Sequence, residues 1–325
     1  MRTVFQKRLV LLVLLSLLVF PAFAGCGRAA DQKQTGQYQV HTEMVFLENG
    51  RGSYTLAEFA IPEDSYEGRP AGAEGLTTGT GGWPMVAVAH GFTGTMDSGG
   101  AAELIRRLAA AGVAAVRVDF DAYLTPEKND DPSNRACEYT LQDMEDDLTL
   151  ALRYACSHYP IDESRLGIYG RSMGGRVAMM MANESYGGFS YQAMALVAPA
   201  GNSQAMIYFM GGQKRWEEMK KQAAEDGFVQ YRQLRLRPDW FTQFEAYDPC
   251  AHGNSFGARP VLVICNTEDY VVTDETSRQC AAAYENSQVI EVTTDDGHGY
   301  EMSRKKSDLK DKLMDQIVSH FAENL

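Results

Sequence analysis

The chain has 325 residues, of which 45% are hydrophobic and 22% charged, enough apolar material for one large α/β domain or two smaller ones. Its formal net charge is −13, and no basic run or stripe offsets the acidic excess. This balance argues against a protein that binds nucleic acid or an anionic membrane surface.

Residues 1–25 have the composition of a secretory signal peptide. MRTVFQKR carries three positive charges, the 12 residues from Leu9 to Phe20 are nearly all apolar, and PAFAGC supplies small residues for cleavage. A membrane-spanning helix is the alternative, but it needs roughly 20 apolar residues. FAGC resembles the lipobox of bacterial lipoproteins, which implies lipidation of Cys26 and a polar tether over 26–37. We therefore expect an exported protein, at the bacterial cell surface or facing the periplasm, that touches the membrane only through its lipid; an ordinary cleaved signal peptide is the alternative.

Strands and helices alternate through most of the remaining chain. Segments 38–46 and 53–61 flank the turn ENGRG and predict a β-hairpin, and the Gly-rich stretch 63–82 predicts a connector. Further strands are predicted at 84–90, 113–120, 165–169, 193–200, 260–265 and 288–292, and helices at 101–109, 141–155 and 309–321. This order predicts an α/β fold over 38–325, with a mainly parallel sheet covered by helices on both faces.

One segment, 201–247, does not fit the alternation. It is rich in aromatic residues interleaved with polar and basic ones. We expect a helical lid insertion over the C-terminal edge of the sheet, where α/β folds bind ligands. Most of its aromatic side chains should form a core of their own, with Trp216, Trp240 and Phe241 as candidates to face a substrate pocket. Its cations could help to hold an acidic substrate, although a solvated helix face explains them more simply: Lys214, Arg215, Lys220, Lys221, Arg232, Arg235 and Arg237.

The stretch GIYGRSMGGRVAMMMA (167–182) places Ser172 between Gly170 and Gly174, at the junction of a predicted strand and a predicted helix. A serine held at a sharp strand-to-helix turn is typical of a nucleophile elbow. A serine hydroxyl is a weak nucleophile until a base accepts its proton. In this architecture the chain order is serine, then acid, then histidine.

His298 is the predicted base. It lies in the Gly-flanked loop TTDDGHGYEM, directly after the last predicted strand. His252 precedes the strand that should carry the acid, and His320 falls in the terminal helix, where we expect it at the surface. The acid should follow strand 260–265, where NTEDYVV offers Glu268 and Asp269, with Asp274 a little further along the chain. Asp269 is preferred because the two valines that follow should anchor its turn, with Glu268 as the fallback; the carboxylate would orient the imidazole and stabilise its protonated form.

Acyl transfer also needs hydrogen-bond donors for the oxyanion. The N–H of Met173, directly after the serine, is one candidate, and that of Phe92 in the loop HGFTG (90–94) is the other. His90 precedes the serine in the chain, so we expect it to brace this loop rather than act as the base.

Five cysteines follow Cys26, an odd number that leaves at least one thiol free. Cys265 closes a predicted strand and should be a small buried residue. No Cys/His spacing suggests a metal site.

HGFTG, GRSMGG, TEDYVV and GHGY, in this order and spacing, resemble the α/β-hydrolase superfamily over roughly 38–323. HGFTG and the insertion are similar to bacterial feruloyl and cinnamoyl esterases, whereas PIDESRLGIYGRSMGG resembles dienelactone hydrolases and prolyl-oligopeptidase-type peptidases. The resemblance implies the α/β-hydrolase fold, a Ser172–Asp269–His298 triad, oxyanion donors at the residues named above, and chemistry that needs no metal or organic cofactor.

The sequence therefore favours a serine esterase that acts on a small-molecule ester, with an aromatic, hydroxycinnamoyl or short-to-medium acyl group. Two departures from the esterase pattern bear on the substrate: Arg171 stands where histidine is frequent, and DAYLTPEKNDDP replaces a Gly-rich turn after strand 113–120. A peptidase with the same triad is the second hypothesis, disfavoured because no β-propeller-sized region precedes the hydrolase domain. The third is a binding lipoprotein with a vestigial triad.

Overall fold

The structure, a computed structural model, describes residues 38–63 and 82–325. The predicted signal peptide, the tether and Cys26 lie outside the described residues, as does nearly all of the Gly-rich connector. Within the described ranges, no helix combines the length and the apolar character needed to cross a bilayer.

The core of the fold is an eight-stranded, mainly parallel sheet. The strands of the chain are β1 (Gln39–Glu48), β2 (Tyr54–Glu63), β3 (Trp83–Ala89), β4 (Ala114–Tyr123), β5 (Ile161–Arg171), β6 (Tyr191–Val197), β7 (Val229–Tyr231), β8 (Leu234–Leu236), β9 (Val261–Asn266) and β10 (Ser287–Val292). The sheet order is β1-β2-β4-β3-β5-β6-β9-β10, and β7 and β8 form a separate hairpin. β1 and β2 pair as the predicted antiparallel hairpin, β2 joins β4 antiparallel, and all pairs from β4 to β10 are parallel.

Helices cover both faces of this sheet. They are α1 (Ala101–Ala110), α2 (Leu141–His158), α3 (Met173–Glu184), α4 (Ser203–Phe209), α5 (Gln213–Asp226), α6 (Pro238–Ala246), α7 (Asp274–Ala282) and α8 (Asp308–Asn324). Along β3, Met85 and Ala87 pack toward α2 and α3, whereas Val86 and Val88 pack toward α1 and α8. Because both faces of the strand are buried, its sequence is a continuous apolar run rather than an alternating one. The predicted α/β architecture is confirmed.

The lid segment 201–247 contains helices α4, α5 and α6 and, between α5 and α6, the β7–β8 hairpin that the sequence did not predict. Arg176 of α3 holds both ends of the segment. Its buried guanidinium donates to the carbonyl oxygens of Gly201 (3.1 Å) and Phe244 (2.9 Å), and also to that of Tyr247. The lid is thereby fastened to the helix that begins at the predicted nucleophile.

The β7–β8 turn rests on the loop that follows β3. Tyr231 stacks on the Phe92 ring with 5.6 Å between centroids, and the Gln233 amide donates to the Thr93 carbonyl oxygen at 3.2 Å. Parallel strands end at the same edge of a sheet, so the loops after β3, β5, β9 and β10 gather under the lid. These are the four loops that carry the predicted site residues.

Candidate active site

Ser172 lies at the sharp turn between β5 and α3. Its backbone has φ 56° and ψ −122°, a conformation that costs a non-glycine residue free energy and that occurs mainly at functional sites. The Ser172 N–H donates to the Val197 carbonyl oxygen of β6 at 2.9 Å, which holds the turn against the neighbouring strand. The structure thus has the elbow geometry that the sequence predicts.

The glycines of the motif allow strand and helix to approach closely. A Cβ on Gly170 would lie 2.2 Å from the carbonyl oxygen of Gly174, and a Cβ on Gly174 would lie 2.3 Å from the carbonyl oxygen of Ala89. Contacts this short do not occur for real Cβ atoms, so any larger residue would push α3 away from β3 and β5. The close packing presents the Ser172 hydroxyl above the edge of the sheet.

Asp269 and His298 form the pair that the sequence predicts. The Asp269 Oδ2 atom accepts a hydrogen bond from His298 Nδ1 at 2.7 Å. Its other oxygen, Oδ1, accepts from the backbone N–H groups of Val271 (2.8 Å) and Val272 (3.0 Å), so the valines position the carboxylate through their amides. Asp269 is buried, whereas Glu268 is exposed and makes no such contact with the histidine among the described residues. The geometry therefore favours Asp269 over the fallback.

Two residues that the sequence reasoning missed as site residues brace the histidine loop. The side-chain amide of the fully buried Asn266 donates through Nδ2 to the carbonyl oxygens of Thr294 (3.0 Å) and Gly297 (2.8 Å), and its Oδ1 accepts the Thr294 N–H at 3.0 Å. Arg171, noted only as a departure from the esterase pattern, donates to the backbone carbonyl of His298. For Asn266, the sequence did offer a signal, because a polar residue ends an otherwise apolar strand. A buried amide at such a position must find hydrogen-bond partners.

Ser172, Phe92 and His298 open onto one cavity of about 370 Å³ beneath the lid. In the part of the chain that the structure describes, the Ser172 hydroxyl and the His298 ring share this cavity without a hydrogen bond between them. Such bonds frequently tighten only when substrate binds. In the same ranges, neither the Phe92 N–H nor the Met173 N–H donates to a backbone or side-chain acceptor, so both predicted oxyanion donors remain available.

His90 braces the Phe92 loop, as expected. Its Nδ1–H donates to the Gly91 carbonyl oxygen at 2.8 Å, and its Nε2 accepts the Phe120 N–H at 3.2 Å. This pattern requires a neutral ring, and burial lowers the pKa of His90 accordingly. His320 corrects an expectation: it is partly buried rather than at the surface, and its Nε2–H donates to the Met194 carbonyl oxygen at 3.0 Å.

The expected pocket residues Trp216, Trp240 and Phe241 do not line the cavity. All three are completely buried, because the large rings pack against one another and their neighbours in the lid core. The prediction that these three residues face a substrate pocket is therefore wrong, because they belong to the aromatic core of the lid. The residues that line the cavity are Phe92, Thr93, Ser172, Ala200, Ala205, Met206, Phe209, Arg232, Tyr270, Val271, Val272 and His298.

A model of the prolyl oligopeptidase family matches residues 137–324, more than half of the chain. The chain belongs to the prolyl oligopeptidase family. It is a serine hydrolase, and the matched range contains the elbow serine, the buried aspartate and the loop histidine. No curated protein sequence is significantly similar to this hydrolase.

Solved structures show that the hydrolase has the α/β-hydrolase fold. Est1E from Butyrivibrio proteoclasticus with bound ferulic acid is 17% identical, with a TM-score of 0.61 over 86% of this chain and 98% of that chain. An esterase from Pyrobaculum calidifontis is 17% identical, with a TM-score of 0.53 over 88% and 86% of the two chains. The esterase domain of a Rhodothermus marinus protein is 15% identical, with a TM-score of 0.56 over 87% and 98%. The fold implied by the sequence motifs is confirmed.

Proposed function

We propose that this hydrolase cleaves carboxylic esters through an acyl-enzyme, with Ser172 as nucleophile, His298 as general base and acid, and Asp269 as the residue that orients the histidine. The observation that carries the proposal is the hydrogen bond of 2.7 Å between the buried Asp269 and His298, whose ring lines the same cavity as the elbow serine. The histidine Nδ1–H is engaged by the aspartate, which leaves Nε2 as the proton acceptor.

In the proposed reaction, the Ser172 oxygen attacks the ester carbonyl carbon while its proton passes to His298 Nε2. The former carbonyl oxygen becomes an oxyanion, which the N–H groups of Phe92 and Met173 stabilise. The intermediate expels the alcohol, which takes the proton from His298. Water then attacks the acyl-enzyme with His298 as base, and release of the carboxylic acid restores the free serine.

The cavity supports a compact, partly aromatic acyl group. Its volume of about 370 Å³ is at the lower end of the range for small-molecule pockets, and most of its lining side chains are apolar. Est1E, which has the same fold, was solved with ferulic acid bound, which supports hydroxycinnamoyl esters as candidates. The second candidate function is peptide hydrolysis with the same residues, which the family match favours.

Labelling with a fluorophosphonate tests the nucleophile. Wild type and the exposed-site control Ser190→Ala should both be labelled, and Ser172→Ala should not. Equal labelling of Ser172→Ala would refute the assignment, and absence of label from wild type would favour a binding protein with a vestigial triad. Turnover of p-nitrophenyl acyl esters and of hydroxycinnamate methyl esters, compared with aminoacyl-p-nitroanilides, then separates the two activities. Hydrolysis of the anilides alone would refute the esterase proposal.

We further propose that the enzyme is exported and anchored by a lipid on Cys26. The support is the composition of residues 1–25 and the FAGC sequence that ends at Cys26. Expression in bacteria supplied with an alkynyl fatty acid should label wild type and not Cys26→Ala. An unlabelled wild-type protein recovered in the medium would indicate an ordinary cleaved signal peptide.

A further inference from the structure

We infer that Arg232 is a substrate-binding residue that selects esters carrying a second, ionised carboxylate. The inference rests on the proposed ester hydrolysis and adds the substrate class. Among the described residues that line the cavity, the exposed Arg232 is the one with a permanent charge; the other polar groups of the wall are those of Thr93, Ser172, Tyr270 and His298.

Arg232 differs from the other basic residues of the lid because it forms no ion pair with a carboxylate among the described residues. Within the described ranges, each of the other six basic residues named for this segment lies within 4.0 Å of a carboxylate: Lys214, Arg215, Lys220, Lys221, Arg235 and Arg237. Arg232 has no carboxylate within that distance in the same ranges. Its guanidinium lies 5.7 Å from the ring centroids of Phe209 and Tyr231, which leaves its hydrogen-bond donors available to a ligand.

The backbone holds Arg232 at the cavity in an unusual conformation. It occupies the first position of the two-residue β7–β8 turn with φ 53°, where glycine, asparagine or aspartate is the usual residue. The Gln230 side chain donates to the Arg232 carbonyl oxygen at 2.6 Å, and Gln233 fastens the turn to the Thr93 carbonyl. These two contacts fix the turn, and with it the position of Arg232 at the cavity.

Because the whole protein is acidic, a positive charge at the cavity should favour the binding of an anionic substrate. With a net charge of −13, the molecule repels an anionic ester at long range. A guanidinium that no protein carboxylate engages offsets this repulsion at the cavity and binds a carboxylate through two parallel N–H groups. The selected substrate is therefore an ester with a carboxylate on its acyl or its alcohol part.

Two matched pairs of esters test the inference. The acyl pair is the p-nitrophenyl monoester of adipic acid and p-nitrophenyl heptanoate; the alcohol pair is 4-carboxyphenyl acetate and 4-carbamoylphenyl acetate. In at least one pair, wild type should prefer the carboxylate by roughly tenfold in kcat/KM, and added salt should reduce the preference. Arg232→Gln should abolish this ratio, whereas Arg235→Gln, a change on the same hairpin outside the cavity lining, should retain it.

Equal kcat/KM values within both pairs, or a preference that survives Arg232→Gln, would overturn the inference. If wild type hydrolyses none of the esters, the ester proposal itself fails. Protection of Ser172 against fluorophosphonate by the charged and the neutral compounds, measured in the same three proteins, then decides the role of Arg232. Preferential protection by the carboxylates that is lost only in Arg232→Gln supports it, and equal protection refutes it.

A second, independent observation concerns two cysteines. We propose that Cys250 and Cys280 form a disulfide under oxidising conditions. Their Sγ atoms lie 3.4 Å apart, and among the described cysteines this is the pair in contact. Bond formation requires an approach of roughly 1.4 Å, within reach of small side-chain rotations. The two thiols lose two protons and two electrons to a disulfide oxidant, such as oxidised glutathione, which becomes two thiols.

The bond would join the end of the lid to the helix that follows the acid loop. Cys250 lies in the short helical segment Pro249–Phe256, just after α6, and Cys280 lies in α7. A Cβ on Gly201 would lie 2.5 Å from Cys280 Sγ and 3.0 Å from Cys250 Sγ, so the pair also packs against the start of the lid. A link between positions 30 residues apart removes conformational freedom from the unfolded chain.

Peptide mapping after treatment with oxidised glutathione should give a linked peptide that contains both cysteines. The melting temperature of the oxidised wild type should fall by roughly 5–10 °C on reduction. The double variant Cys250→Ala/Cys280→Ala should not respond to the reductant, whereas Cys156→Ala should respond as wild type does. Alkylation of both Cys250 and Cys280 in the oxidised protein, with no linked peptide and no shift in melting temperature, would refute the proposal.

Discussion

Replacement of Asp269 by asparagine should disable the histidine by changing its tautomer. In the wild type, Oδ1 accepts two backbone N–H groups, at 2.8 and 3.0 Å, and Oδ2 accepts His298 Nδ1–H at 2.7 Å. An asparagine has a single acceptor oxygen for these three donors. If the oxygen stays on the backbone amides, its NH₂ group faces His298, which must then accept at Nδ1 and carry its proton on Nε2. That tautomer cannot take a proton from Ser172.

The hydrogen bonds of Asp269 also allow an estimate of how far kcat should fall in Asp269→Asn. The productive tautomer survives only if the amide flips, which turns its NH₂ group toward the N–H groups of Val271 and Val272. Each buried donor left without an acceptor costs about 1–3 kcal/mol, so the flip costs about 2–6 kcal/mol. At about 1.4 kcal/mol for each factor of ten, the productive population falls by roughly 30-fold to 10⁴-fold. Loss of the carboxylate charge beside the imidazolium lowers the rate further, so we expect kcat to fall by about 10³- to 10⁴-fold.

The assay is hydrolysis of a p-nitrophenyl ester by wild type, Asp269→Asn and the matched control Glu268→Gln, with circular dichroism to establish folding. The control changes an exposed neighbour and should keep kcat within about twofold of wild type. If folded Asp269→Asn retained a tenth of wild-type kcat while Glu268→Gln lost activity, the acid would be Glu268 and the tautomer argument would be wrong.

Three further changes probe other parts of the structure. Gly174→Ala brings a Cβ to 2.3 Å from a backbone carbonyl oxygen. Thermal denaturation should show a loss of about 1–3 kcal/mol in the free energy of unfolding, and an unchanged melting temperature would contradict the close-packing argument. Arg171→Met removes the hydrogen bond to the His298 carbonyl, so kcat should fall about tenfold with little change in KM. Arg171→Lys should partly restore kcat, and a change in KM alone would indicate that Arg171 contacts the substrate instead. Burial, with neighbouring acids, raises the pKa of Glu145 to about 8 from 4.5, so the folded protein holds a proton that the unfolded chain has released. Urea unfolding should therefore show wild-type stability falling between about pH 4.5 and pH 8. Glu145→Gln should show a smaller fall, whereas Asp226→Asn, a change at an exposed residue of α5, should keep the wild-type fall.

Much of the site could be predicted because its chemistry imposes strict local requirements. An elbow serine needs small neighbours, and the histidine and acid must follow particular strands, so Ser172, His298 and the choice between Asp269 and Glu268 followed from position in the chain. The roles of Asn266 and Arg171 could not be read in this way. Both donate to carbonyl oxygens on another loop, and every residue has a carbonyl oxygen. The position of Asn266 at the end of an apolar strand indicates that its amide needs partners, but the sequence does not indicate which partners these are.

The lid shows the same division. Its aromatic content indicated a packed insertion, but which rings form the core and which face the ligand depends on how α5, α6 and the β7–β8 hairpin are oriented. Trp216, Trp240 and Phe241 face inward, and Phe209 and Arg232 reach the cavity instead. Likewise, the sequence shows seven basic residues in this segment but does not show that Arg232, unlike the other six, forms no ion pair among the described residues.

The sequence by itself determined the chain order of the eight strands of the sheet, the position of the strand-to-helix turn and the residue types available at each loop, because these depend on hydrophobic periodicity and on local backbone sterics. Only the tertiary structure decided that Asp269 reaches His298, that Arg176 fastens both ends of the lid and that Cys250 meets Cys280. These contacts join residues from 25 to 71 positions apart in the chain. Contacts at such separations are set by the packing of whole elements against the sheet, which no local pattern encodes.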